Sequence, residues 1–182
     1  MVNLSFQITN SATVSFRYSR IPSASGDYSG YFWDRSFDVR LDIVKENKLL
    51  PEVTLGLQDF IGTGKYSGEY LVASKSIINK LRLTGGIGWG MLSGNQITSY
   101  GSRIVTDNKF GGGLKYKHLF KGPIGAFGGI EYDTPIKNLQ FKVEYSSNNR
   151  ERTSHFIPTI STEKVNYGLD YKLNDNLKKY FE

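Results

Sequence analysis

Hydrophobic and polar residues alternate along several long stretches of this chain, and this alternation restricts the possible fold more than any other feature. In residues 36–44, one side of an extended backbone carries the apolar side chains Phe37, Val39, Leu41 and Ile43. The other side carries Ser36, Asp38, Arg40 and Asp42. The same alternation covers four further stretches, 12–19, 81–91, 138–146 and 164–173. A period of two residues is that of a β-strand with one apolar and one polar face, so the chain is predicted to be all-β and antiparallel.

The length of these segments helps to distinguish two kinds of β-protein. Soluble strands average about 5–6 residues, whereas a tilted strand needs roughly 9–11 residues to cross a bilayer. Several segments here run to about 9–12 residues, which favours the membrane-spanning class. Aromatic residues near the segment ends resemble the girdles of such barrels; they are Tyr18, Phe60, Trp89, Tyr132 and Tyr145. We therefore predict an antiparallel up-and-down transmembrane β-barrel, with a soluble β-sandwich, which also alternates, as the alternative.

About nine spanning strands are predicted, at 2–8, 12–20, 36–45, 52–60, 68–76, 81–92, 124–132, 139–146 and 164–173. Short and long links alternate between them, as the periplasmic turns and outer loops of outer-membrane barrels do. The long links are 21–35, 61–67, 93–123 and 147–163, and the glycine-rich stretch 108–117 is assigned to one of them. Because single-chain bacterial barrels have even strand numbers, an odd count predicts that residues 1–182 are one partial barrel, truncated at both ends.

The composition agrees with a β-rich chain and excludes several kinds of site. Of 182 residues, 20 are Gly and 14% are aromatic, and the absence of Cys excludes disulfides, thiolate metal sites and Cys nucleophiles. No apolar run of about 18 residues is present, so no transmembrane helix is predicted, and no export signal is visible. The net charge of +6 permits contact with anionic partners without requiring it.

No motif in the chain points to catalysis, a metal or a cofactor. His118 and His155 lie far apart in the sequence and lack the spacing of metal ligands. The glycine-rich stretch 62–68 lacks the spacing of a phosphate loop, and no helical pattern follows it. Asp38 and Asp42 would lie about 13 Å apart along a strand, farther than the roughly 5–9.5 Å between the carboxylates of a glycosidase. The chain is therefore predicted to be non-catalytic and to bind no cofactor.

The polar side of the strands is predicted to line a wet lumen, in which charges of both signs pair across neighbouring strands. The candidate lumen-facing residues are Asp38, Arg40, Asp42, Gln58, Arg82, Lys142 and Glu144. Aromatic residues in the predicted long loops are candidates for stacking on sugar rings at the outer mouth, with anchoring at the membrane interface as the alternative role. They are Tyr28, Tyr31, Trp33, Tyr100 and Phe110.

Nucleic acid is not a predicted partner, in spite of the positive net charge. The basic residues are scattered, and Lys178 and Lys179 are the only adjacent pair in the sequence. The aromatic residues lie mainly on the side of the strands opposite the charges, whereas a single-strand binding surface needs both together.

Four segments of the chain have distinctive sequences: 33–40, 50–64, 66–75 and 127–136. They resemble the YjbH-like exopolysaccharide biosynthesis family of Gram-negative bacteria. The resemblance implies an outer-membrane β-barrel that accompanies the production of an extracellular polysaccharide, in a family whose members are longer and often lipoproteins.

The predicted function is that of an outer-membrane component assisting exopolysaccharide biosynthesis or secretion. The partners that the resemblance implies are outer-membrane lipid, the polysaccharide and other export components, and the implied location is the bacterial outer membrane. A generic porin or transporter barrel is the alternative, followed by a soluble β-rich carbohydrate-binding domain.

Overall fold

A computed structural model of the chain describes residues 2–22, 31–62, 64, 66–103, 113–114, 116–147, 164–174 and 177–181. The strands are β1 (Val2–Thr9), β2 (Ala12–Pro22), β3 (Tyr31–Val44), β4 (Glu52–Gly62), β5 (Gly68–Ile78), β6 (Leu81–Trp89), β7 (Gln96–Tyr100), β8 (Gly113–Leu114), β9 (Gly122–Asp133), β10 (Leu139–Tyr145), β11 (Val165–Asn174) and β12 (Leu177–Phe181). Two short 3-10 turns, Gly90–Leu92 and Tyr116–His118, interrupt them. Within the described ranges, no helix is long and apolar enough to cross a membrane.

The strands form a single antiparallel sheet. Ten of them follow one hydrogen-bonded path in the order β1-β2-β3-β4-β5-β6-β9-β10-β11-β12. The short strands β7 and β8 pair with β9 and β4, respectively, away from this path. In the part of the chain that the structure describes, β1 and β12 are the two edges and the sheet is open. The prediction of an all-β, antiparallel chain is confirmed at this level.

The predicted count of nine strands is wrong, because the path contains ten. The additional strand, β12, pairs with β11 through positions such as Lys172 and Lys178. It has only five residues and includes two adjacent lysines, so its sequence carries no clear alternation. Its strand conformation depends on backbone pairing with β11. The odd count therefore no longer argues that a strand is missing.

The first predicted long link, 21–35, is shorter in the structure because strands β2 and β3 both extend into it. The two strands stay in register from Ala12 opposite Leu41 to Pro22 opposite Tyr31. Tyr31 and Trp33 therefore belong to a strand, and their predicted loop location is wrong. Arg35 interrupts the apolar positions at 33 and 37. Pairing with β2 maintains the strand there despite this charge.

The third long link also contains structure that the pattern did not predict. Strand β6 ends at Trp89, three residues earlier than expected, because Gly90 adopts a left-handed conformation with φ of 62°. After this turn the chain forms β7, which pairs with β9. Of the stretch 108–117, β8 pairs with Ile61 and Gly62 of β4, whereas residues 108–112 and 115 lie outside the described part of the chain.

The sheet separates its side chains into an apolar face and a polar face. No apolar side chain among the described residues is buried, and Phe37, Leu83 and Phe141 are 38%, 38% and 37% exposed. On the opposite face, Asp34 and Thr54 are only 0% and 3% exposed. These polar side chains are therefore more shielded from solvent than the apolar ones on the other face.

Candidate functional site

The candidate site is the polar side of the sheet, which we call the polar face. The strand register connects its members. Arg40 of β3 is opposite Gly56 of β4, and Gly56 is opposite Tyr70 of β5. Arg82 of β6 is opposite Glu131 of β9, which in turn is opposite Lys142 of β10.

All seven polar residues singled out from the sequence lie on this one face: Asp38, Arg40, Asp42, Gln58, Arg82, Lys142 and Glu144. Their lining of a lumen stays a prediction.

A chain of ion pairs on the polar face joins residues of three strands and reaches across a fourth, β5. The Arg40 guanidinium contacts the carboxylates of Asp42 at 3.2 Å and Glu52 at 3.4 Å. Arg82 donates from its two terminal nitrogens to Glu52 and Glu46, each at 2.8 Å. The network therefore links β3, β4 and β6 with the turn after β3. Arg40, Glu52 and Arg82 each contact two partners of opposite charge.

Hydrogen bonds donated from β5 and β4 complete this network. The backbone N–H of Ser76 donates to Glu46 Oε1 at 2.8 Å. This bond is the main cause that lowers the pKa of Glu46 below its usual value, and the Arg82 side chain acts in the same direction. On β4, the Thr54 hydroxyl donates to Asp42 at 2.9 Å. Glu46 is therefore held as a carboxylate that fastens the β3–β4 turn to β5 and β6.

A second set of polar contacts lies near the other edge of the sheet. The Lys142 ammonium is 2.6 Å from Asp170 of β11, and Gln140 donates to Asp133 of β9 at 3.0 Å. Side-chain contacts thus join β9, β10 and β11, as other contacts join β3 to β6. In each of these two regions, charged side chains are paired across strands.

A bulge in β4 brings further polar groups together. Leu57 and Ile61 are the partners of Val39 and Phe37, so three residues of β4 are opposite Asp38 alone. Asp59, in this bulge, has a φ of 47°. Its N–H donates to Asp38 Oδ1 at 2.8 Å. Such an irregularity redirects a side chain that regular alternation would place elsewhere.

The bulge closes over a buried charged cluster. Asp34, Ser36 and Asp59 are each 0% exposed. The Tyr66 N–H donates to Asp59 Oδ2 at 3.1 Å, and the Arg17 guanidinium lies 5.3 Å from the centre of the Tyr66 ring. Burial raises the pKa of the Tyr66 hydroxyl, with the Asp34 carboxylate as a further cause. This cluster packs the link after β4 onto the polar face.

Two aromatic rings lie over glycines of the polar face. A Cβ at Gly56 would be 2.0 Å from the Tyr70 ring, and a Cβ at Gly86 would be 2.6 Å from the Phe127 ring. Each ring thus occupies the space above a neighbouring strand that any larger residue would fill. Both rings therefore place apolar surface on the otherwise polar face.

The five loop aromatics predicted from the sequence are not found as one group. Tyr28 and Phe110 lie outside the described residues, and Tyr31 is the first residue of β3. Trp33 lies in β3 and stacks on Tyr18, with ring centroids 4.8 Å apart and planes 6° from parallel. Tyr100, at the end of β7, is 69% exposed. The position of Trp33 on the apolar face favours its interface-anchoring role over sugar stacking.

A buried ion pair fastens the chain after β7 to β5. Both terminal nitrogens of Arg103 contact the carboxylate of Glu69, at 2.6 and 3.0 Å, and the two side chains are 6% and 1% exposed. The N–H of Phe120 donates to the same carboxylate at 3.1 Å, and the Phe120 ring packs edge-on against Trp89 at 5.2 Å.

Several residues of these networks were not predicted. Glu52 continues the polar side of β4, so pairing polar positions across the predicted strands would have found it. Asp59 and the pair Glu69–Arg103 carry no such signal, because a bulge and a distant loop contact bring them into place. Among the described residues, no group of three or more His, Cys, Asp or Glu side chains is arranged to hold a metal ion.

Comparison with known proteins gives a family and a relative. The sequence model of the YjbH family, described as "Exopolysaccharide biosynthesis protein YbjH", matches residues 1–181. The chain is also 35% identical over 168 residues to a protein of Escherichia coli (strain K12) named "Uncharacterized lipoprotein YjbH". That match covers 87% of this chain and 23% of the relative, so the chain spans about a quarter of the relative's length. No solved structure matches the chain.

Proposed function

Since the chain belongs to the YjbH family of exopolysaccharide biosynthesis proteins, we propose that it is part of an outer-membrane β-barrel that assists secretion of an extracellular polysaccharide. In this proposal the chain guides the polymer and does not cleave it. The apolar face meets lipid, and the polar face meets water and the polymer.

The observation that carries this proposal is the division of the sheet into two unlike faces. Large apolar side chains such as Leu71, Leu83 and Ile130 are 39%, 38% and 46% exposed. Exposed apolar surface of this extent is unfavourable in water, and a lipid environment removes that cost. On the polar face, the paired charges offer hydrogen bonds to a polar polymer, and the rings of Tyr70 and Phe127 offer a stacking surface.

The E. coli relative is named as a lipoprotein, and this name supports a membrane-associated location. The open edges support the further proposal that this chain is one part of a larger barrel. Backbone groups at an unpaired strand edge are not tolerated in lipid. Strands from the rest of a protein about four times as long as this chain would pair with β1 and β12.

We assign no catalytic step to the polar face. The carboxylates of Asp42, Glu46 and Glu52 are each in an ion pair with an arginine. Their role in the proposal is structural and polymer-facing.

Deletion of the full-length gene tests the proposal, with re-expression from a plasmid as the control. We expect less secreted polymer, or altered retention at the cell surface, and recovery on re-expression. The purified full-length protein should release no reducing ends from that polymer. Normal polymer together with impaired uptake of a small solute would instead support a porin.

A further inference from the structure

The chain crosses the polar face between β6 and β7, along residues 90–95, which we call the crossing segment. Strand β6 pairs with one edge of β9, whereas β7 pairs with the other edge. The connection therefore passes over β9. We propose that the crossing segment is a built-in constriction, which narrows the passage along the polar face so that only slender molecules, such as a single extended sugar chain, pass. This inference rests on the proposed function, because the passage is the interior of the proposed barrel.

Two glycines show on which side of the sheet the segment lies. Gly88 and Gly125 are paired with each other, on the same side as Tyr70. A Cβ at Gly88 would be 2.5 Å from Leu92 Cβ. A Cβ at Gly125 would be 2.6 Å from the Leu92 carbonyl oxygen and 2.7 Å from Ser93 Cα. The segment is thus in direct contact with the polar face at two positions where a side chain would displace it.

Hydrogen bonds hold the crossing segment to the residues after β10. The Ser147 hydroxyl donates to the Leu92 carbonyl, and the Gly94 N–H donates to the Ser147 carbonyl, both at 2.7 Å. The Asn95 side-chain amide donates to the Ser146 carbonyl at 2.6 Å. Ser93, Asn95 and Ser147 are only 3%, 8% and 2% exposed. These buried bonds connect the far end of the segment to the end of β10.

The near end of the segment is held in the same way. The Met91 N–H donates to the Ser67 carbonyl, just before β5, at 3.1 Å. The Ser93 hydroxyl donates to the Gly90 carbonyl at 2.7 Å and closes the turn. Fastened at both sides, the segment adds a fixed layer of backbone to the polar side of β6 and β9, which reduces the free space there.

Single cysteines in the full-length protein, in a background with no other free thiol, test this proposal in intact cells. A cysteine replacing Thr84 lies on the polar face, where a reagent that enters from outside the cell must first pass the segment. A cysteine replacing Leu83 lies on the apolar face. Two water-soluble maleimides are added from outside: a small one and one carrying a long polyethylene glycol chain. We expect Thr84→Cys to react with the small reagent only.

A side chain at Gly125 should remove the constriction. Adding Gly125→Val is expected to raise labelling of Thr84→Cys by the large reagent from undetectable to the level of the small one. Gly85→Val is the matched control, because a Cβ at Gly85 has no neighbour within 4 Å. If Gly125→Val does not assemble, Asn95→Ala with Ser147→Ala removes the side-chain bonds to the residues at the end of β10 instead.

Three results would overturn the constriction: equal labelling of Thr84→Cys by both reagents, labelling by neither, or continued exclusion of the large reagent in both assembled variants. Labelling of Leu83→Cys by these water-soluble reagents would instead contradict the lipid-facing role of the apolar face, and so the proposed barrel itself.

Discussion

Arg82 and Glu52 form an ion pair across a strand that lies between them. Arg82 is in β6 and Glu52 is in β4, with β5 separating the two strands, yet Arg82 Nη2 is 2.8 Å from Glu52 Oε2. Strands two places apart are separated by about 9.5 Å, a distance that only a long side chain bridges. The pair therefore joins β4 directly to β6 across β5, whereas backbone hydrogen bonds join only neighbouring strands.

We expect Arg82→Ala to destabilise the folded sheet by about 1–2 kcal/mol, since Glu46 and Glu52 both lose a charged partner in a partly exposed site. The measurement is the free energy of unfolding of the full-length protein in urea and detergent. Glu144→Gln is the control, because Glu144 is exposed and has no ion pair among the described residues; its effect should stay within about 0.5 kcal/mol. Equal effects of the two variants would contradict the role of the network.

The two faces of β6 can be compared with adjacent substitutions. Leu83→Arg is expected to prevent membrane assembly, because an arginine at a lipid-facing midplane position costs about 2–4 kcal/mol. Thr84→Arg, on the polar face, should be tolerated, although it loses the 2.9 Å contact with the Ser74 hydroxyl. The amount of protein in the outer-membrane fraction measures both. Equal tolerance of the two variants would show that the faces are assigned incorrectly.

Gly56→Ala should destabilise the protein by about 1–3 kcal/mol, since the new methyl group overlaps the Tyr70 ring. Adding Tyr70→Ser should recover part of this loss, and a double-mutant cycle on unfolding free energies measures the coupling. Gly85→Ala, with open space at its Cβ, is the control and should change stability little. Additive effects of Gly56→Ala and Tyr70→Ser would argue against the ring-on-glycine contact.

Removal of Arg103 should be among the most harmful single changes. Arg103→Ala leaves the Glu69 carboxylate buried without its cation, at an expected cost of about 3–5 kcal/mol. The double variant Arg103→Met with Glu69→Leu should be clearly more stable than Arg103→Ala, because no buried charge then lacks a partner. Thermal unfolding of the three proteins tests this, and a double variant as unstable as Arg103→Ala would contradict it.

Glu46 should make stability depend on pH in the acidic range. Its pKa is lowered in the folded state below the usual 4.5, mainly by the hydrogen bond from the Ser76 N–H. A group with a lowered folded pKa stabilises the protein at pH values above its unfolded pKa, and this contribution is lost as the pH falls through the folded pKa. Glu46→Gln should therefore reduce the loss of stability between neutral pH and about pH 3. Unfolding midpoints of both proteins across that range measure the difference, and parallel curves would contradict the assignment.

Which side chains share a face follows from the order of the amino acids alone. Side-chain direction in a strand alternates with the backbone, so Leu83 and Thr84 must point to opposite sides wherever the strand pairs. This local rule was sufficient to predict an all-β antiparallel chain, and it selected seven polar residues that the register does place on one face. The family could also be recognised, because its segments are continuous in the sequence.

Which of these residues come into contact depends on how the strands and links pack in three dimensions. The contact between Arg82 and Glu52 requires a particular register over three strands, and the pair Glu69–Arg103 requires a distant link to fold back onto β5. Strand β12 and the crossing segment are short, and their conformations depend on hydrogen bonds to β11 and to the residues after β10. Local alternation carries no information about such non-local contacts, because their free energy arises only when separate parts of the chain come together.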